Sequence, residues 1–148
     1  MAVTNDPTEA EVPGGTTTGT EAPRFQTFEE FWPYYVAMHS NPATRLFHAV
    51  GTFAGAGMAL GGLLRRRPSR LLKAAFVGYG TAWAAHWFIE RNNPASFGYP
   101  VWSAKGDIEM LSMQVQGRDD ELTEMARQWL ADHPEDRSPG SIPLEDAT

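Results

Sequence analysis

The chain has 148 residues, enough for one domain, and a formal net charge of −6, which argues against nucleic acid as its main partner. It has no cysteine, which excludes disulfides, thiolate nucleophiles and Cys-type zinc sites. Any metal must be held by His and carboxylate, a donor set suited to iron, manganese or zinc.

Residues 1–24 are Thr, Gly, Pro and Glu with almost nothing to bury, and read as a disordered tail. They lack the apolar core and basic start of a secretory signal. Residues 25–131 are expected to form a single helical, membrane-associated domain, and residues 132–148 a second polar, disordered tail. Thr27 and Glu30 fit a capping box. The helix that follows is rich in aromatics, with Phe28, Phe31, Trp32, Tyr35 and Met38 on a broad apolar face, and is expected to bend at Pro33. Ser40-Asn41-Pro42 ends it and opens the next helix, with Asn41 as N-cap and Pro42 as first residue.

Residues 46–64 carry no formal charge over 19 positions, long enough to cross a bilayer. Their five glycines include the pairs Gly51/Gly55 and Gly57/Gly61, a spacing of four that permits close helix contact in lipid. A basic turn follows over residues 65–70, and residues 71–89 make a second apolar run whose Lys73 is near enough to one end to snorkel. The fold class is therefore all-α: a helical membrane hairpin of two apolar helices with flanking amphipathic helices. Five of the twelve Lys and Arg lie between Arg65 and Lys73, which places the turn on the cytoplasmic side of a multi-pass membrane protein.

The hairpin brings chemistry together. The turn is centred near Arg67 and Pro68, with His48 19 or 20 residues before it and His86 18 or 19 after it. In an antiparallel pair, equal distance from the turn means equal height. His39, just before the Pro42 break, can fold back to that level, and Glu90 stands one turn beyond His86. Three histidines and a glutamate at one height are a candidate metal site, because imidazole is the commonest neutral metal ligand. After the loop a short helix is expected over 102–116 on the surface of the hairpin. A last helix runs through Leu130, with Leu122, Met125, Ala126, Trp129 and Leu130 on one face. No phosphate-binding loop, nucleophile elbow or complete zincin motif is present.

These residues resemble a known family. The pattern is His39-x-Asn41-Pro42-x-x-Arg45-x-x-His48-x-x-Gly51, an apolar hairpin, then His86-x-x-x-Glu90-x-x-x-Pro94-Ala95, Pro100 and Gly106-Asp107. It is similar to the 2-hydroxy-palmitate dioxygenase family of small helical membrane proteins, in its bacterial-type branch; Met38 stands where the fungal type has a further histidine. The resemblance implies an iron(II)- and oxygen-dependent enzyme that shortens 2-hydroxy fatty acids by one carbon. It implies that His39, His48 and His86 hold iron and that Glu90 is their acidic partner. Asn41, Arg45 and Asn93 would serve beside the metal or toward the substrate, with Arg45 as a fork donor to its carboxylate. Two other readings stay open: a non-catalytic membrane protein with a structural His/Glu cluster, and a zinc-dependent lipid hydrolase.

Overall fold

The computed structural model describes residues 25–144, and the expected N-terminal tail lies outside them. Helix α1 spans Phe28–Ala37. Thr27 caps it, accepting the Glu30 N–H at 3.2 Å, while the Glu30 carboxylate reaches back to the Gln26 N–H. Pro33 lies inside α1 without ending it. Asn41 caps α2 (Pro42–Leu64) as expected, its Oδ1 accepting the Ala43 N–H at 3.0 Å. A three-residue turn containing left-handed Arg66 leads to α3 (Pro68–Ala85), antiparallel to α2 and opened by Pro68.

Glycine sets the α2–α3 contact, but not at every position the spacing suggested. A methyl group at Gly51 would overlap Thr81, and one at Gly55 would meet the Ala74 carbonyl at 3.0 Å. Gly62 is the third close approach, against Arg70 and Arg67. A methyl at Gly57 would touch nothing within 4 Å, so this glycine does not serve the packing.

The second apolar run is shorter as a helix than the sequence suggests. Regular α-helix stops at Ala85, and His86–Glu90 form a π turn closed by left-handed Arg91. Among the described residues only α2 is long and apolar enough to cross a membrane, and 22% of its most apolar window is buried. Ser69, Arg70 and Lys73 in the first turns of α3 and the early end at Ala85 keep α3 below that mark. One candidate span thus stands where two were expected.

The core lies beside the hairpin. It joins Phe31, Tyr34, Tyr35 and Val36 of α1 to Met110 and Met113 of α4 (Pro100–Val115), and to Leu122, Ala126 and Leu130 of α5 (Asp119–Asp132). The inward face expected for α5 is the one that packs, and it packs on α1. Helix α4 leans on α1 as well as on the hairpin; a methyl at Gly106 would lie 2.8 Å from the Tyr35 ring, so glycine permits this approach.

The expected tail from residue 132 behaves differently over its described part. Beyond α5 the chain returns across Glu90: Gly140 N–H and Ser138 Oγ donate to the Glu90 carbonyl at 2.9 and 2.6 Å. Ile142 is buried in the core, its N–H on Ser40 Oγ. Backbone and hydroxyl hydrogen bonds plus one apolar anchor hold this strap, a combination without periodicity for a sequence reading to detect.

Candidate metal centre

The three histidines meet where α1, α2 and α3 come together. His39 is in the turn after α1, His48 on the second turn of α2, and His86 opens the π turn after α3. Their ring centroids are 4.5 Å (His39–His48), 4.6 Å (His39–His86) and 5.2 Å (His48–His86) apart. All three are buried, and their candidate ligand atoms lie within 4.8 Å of one another. Equal distance from the turn thus did place His48 and His86 at one level.

Each ring is held by its Nδ1. His39 Nδ1 is 2.6 Å from the Tyr35 carbonyl, His48 Nδ1 is 2.7 Å from Asp107 Oδ1, and His86 Nδ1 is 2.7 Å from Asn92 Oδ1. The Tyr35 carbonyl and the Asp107 carboxylate can only accept. Asn92 is oriented because its Nδ2 donates to the Met38 carbonyl at 2.9 Å. So each Nδ1 carries a proton, and in the neutral ring the lone pair is on Nε2. Nε2 of His39 and of His48 is buried with no hydrogen-bond partner. Buried orphan acceptors are costly unless something fills them. Clustered imidazoles whose Nδ1 is tied to an oxygen have the arrangement of metal ligands, so the donor set fits a metal ion.

Electrostatics point the same way. Burial, then the neighbouring His48 and His86, pushes the His39 pKa well below the ordinary imidazole value. Burial, then His48, pushes His86 down to about 4. Both rings are therefore neutral at pH 7, the state a metal requires. A cavity of about 30 Å³ is lined by all three histidines. Ser103 Oγ and Trp83 Nε1 belong to residues lining it, and neither atom has a partner.

The other expected residues are placed otherwise. Glu90 is fully buried but faces the start of α2: Oε1 accepts the Asn41 N–H at 2.6 Å and Oε2 the Ser40 hydroxyl at 3.3 Å. Burial raises its pKa to about 7. It joins the π turn to the α1–α2 junction. Asn41 is a cap that also donates to the Gly140 carbonyl.

Arg45 is fully buried, and all five of its N–H donors are engaged. Nε and Nη2 form a fork on Asp119 at 2.8 and 2.6 Å, and Nη2 also meets Thr123. Nη1 donates to the carbonyls of His39 and Ser40. No donor is left for a substrate carboxylate, so the fork expected of Arg45 is made with Asp119 of α5.

Asn93 is exposed, and its neighbour Asn92 holds His86 instead. Asp107 and the Tyr35 carbonyl are the other holders the sequence reading did not name as site residues. Tyr35 stands four residues before His39, the spacing at which a side chain near a helix end meets a carbonyl. Asp107 was visible only as part of Gly106-Asp107.

The comparison that decides the family is the match of the model for 2-hydroxy-palmitic acid dioxygenase Mpo1-like proteins to residues 25–118, more than half of the chain. The chain belongs to this Mpo1-like family. The matched segment contains the three histidines, their three Nδ1 partners and Glu90. It stops just short of Asp119, the partner of Arg45. No curated protein and no solved structure matches the chain.

Proposed function

We propose that the chain is a membrane-bound, iron(II)-dependent dioxygenase that shortens 2-hydroxy fatty acids by one carbon. The observation that carries this reading is the set of three buried imidazoles with Nδ1 tied to oxygen and candidate ligand atoms within 4.8 Å of one another, two of them with an unpartnered Nε2. His39, His48 and His86 would hold the metal through Nε2. Iron(II) held by so few protein ligands would have positions left for oxygen and for the hydroxy-carboxylate.

The chain's own part is positioning. Asp107 fixes the His48 ring and makes it a stronger donor. Asn92 and the Tyr35 carbonyl do the same for His86 and His39 without adding charge. Glu90, between the π turn and Asn41, keeps His86 in register with His39 and His48. Ser103 Oγ and Trp83 Nε1 offer hydrogen bonds to a polar group entering the cavity, the place first expected for Arg45.

The hairpin surface supports a membrane setting. Phe53, Leu60, Leu64, Leu72 and Phe76 project from α2 and α3 with no cover, Phe76 being 80% exposed. Such a surface suits lipid. In this reading α2 and α3 enter the bilayer as a pair, with the arginine turn on the cytoplasmic side.

A structural histidine cluster is less well supported, because its rings would hydrogen-bond one another and leave no orphan Nε2. Oxygen uptake tests the proposal. Protein loaded with iron(II) is mixed with 2-hydroxypalmitate, and products are read by mass spectrometry. Oxygen loss with a product one carbon shorter, absent in His48→Ala, supports the reading. Hydrolysis of a lipid ester by the zinc-loaded protein, with no oxygen uptake by the iron form, overturns it.

A further inference from the structure

The histidine cavity does not end in packed side chains. Four of its lining residues, His48, Tyr79, Ala82 and Asp107, also line a groove of about 360 Å³ between α2 and α3, the size of a small-molecule site. The groove runs along the hairpin as far as Ala59 on α2 and Leu71 on α3. Ala59 stands eleven helical steps after His48, roughly 16 Å along the axis.

This space is not a fault of loose packing. Gly51 and Gly55 already bring the helices into contact, and a methyl on either would meet α3. The two glycines line the groove along with Ala56 and Ala59 of α2 and Ala74 and Ala75 of α3, whose side chains are too short to fill it. Its polarity is one-sided. His48 and Asp107 mark one end, and beyond them the lining is glycine, alanine and Leu71, with Thr52 and Tyr79 as the other residues that carry a polar group. His48 is 6% exposed and its Nε2 has no partner.

Resting on the reaction proposed above, we propose that the α2–α3 groove holds the acyl chain of the substrate, head group toward the histidines. We further propose that its length sets the chain length accepted. A single acyl chain is thin, apolar and polar at one end, which is the pattern of the lining. A docked helix is about 10 Å wide and has no polar tip to place at His48. A bilayer phospholipid would have to press its glycerol and phosphate into a cavity of about 30 Å³.

The test uses the full chain in detergent, loaded with iron(II) and kept anaerobic. A graded series from 2-hydroxyoctanoate to 2-hydroxystearate displaces a fluorescent fatty acid from the wild type, Ala59→Phe and Ala56→Phe. Ala59→Phe blocks the far end and weakens the longest acids at least tenfold. Ala56→Phe, three residues or about 4.5 Å nearer the histidines, extends the loss to shorter acids. The shortest acids bind all three proteins alike. Ala75→Phe, at an exposed position on the opposite wall, repeats the mid-groove result if an α2 variant folds poorly, and unchanged iron content reports an intact fold.

Equal loss at every length, no loss at any length, or no displacement from the wild type overturns the groove. The two proposals fail separately. Length-shifted binding without oxygen uptake keeps the groove and removes the dioxygenase. Oxygen uptake with an unshifted length profile removes the groove alone.

Discussion

Arg45 shows how one residue can carry two readings until its partners are known. In the sequence it stands three before His48, where a fork donor to a substrate carboxylate is reasonable. In the fold it ties α2 to α5 through Asp119 and satisfies the two carbonyls that flank the His39 turn. Its loss leaves those carbonyls unmet and its replacement cannot restore the fork, so Arg45→Ala should destabilise by about 3 kcal/mol or more. Asp119→Ala strands a buried guanidinium and should lower the unfolding midpoint by a comparable amount. A stability loss for Arg45→Ala that Asp119→Ala does not share would restore a substrate role. Asp107 is different, because it touches a ring that turns toward the proposed metal. Asp107→Ala should weaken metal affinity by roughly 10- to 100-fold in a titration. Full affinity in that variant would mean that the His48 ring needs no carboxylate.

At the scale of elements, the site depends on how closely α4 approaches α1. Gly106 permits that approach, and the next residue is Asp107. Gly106→Ala forces the Tyr35 ring or α4 to move, at a cost of roughly 1–3 kcal/mol. Because Asp107 moves with α4, the variant should lose metal affinity as well as stability. A lower unfolding midpoint with undiminished metal binding would separate the two.

The hairpin was the most legible element. Two apolar runs about a basic turn, with histidines at equal distances from it, predict the meeting of His48 and His86 directly. The choice between Asn92 and Asn93 was not legible. The π turn and left-handed Arg91 decide which asparagine faces inward, and neither follows from a 3.6-residue period. Asp119 was equally hidden, since 74 residues separate it from Arg45 and helix caps and ion pairs look alike in sequence. The strap over Glu90 hid for another reason: Ser138, Gly140 and Ile142 act through backbone, hydroxyl and one side chain, inside a composition that reads as disorder.

The molecule as a whole places buried titratable groups of opposite tendency side by side. His39 and His86 are held below the ordinary imidazole value of 6.5, His86 at about 4. Their contribution to stability is present above pH 6.5 and lost as pH falls toward their folded values. Glu90, raised from 4.5 to about 7, acts the other way: its contribution is full below pH 4.5 and lost as pH rises through 7. The metal-free protein should therefore lose stability from pH 6.5 toward 4, with Glu90 offsetting part of the loss. Glu90→Gln removes the offset, so its unfolding midpoint should fall more steeply with acid than that of the wild type. A shallower fall in Glu90→Gln would contradict the assignment.

The central claim is that three buried imidazoles hold a metal ion, and elemental analysis tests it most directly. Detergent-purified protein and a His86→Ala variant would be reconstituted with iron(II) under anaerobic conditions and their metal measured side by side. The account predicts near-stoichiometric iron in the wild type and its loss in the variant. No metal in either protein, or equal metal in both, would contradict it.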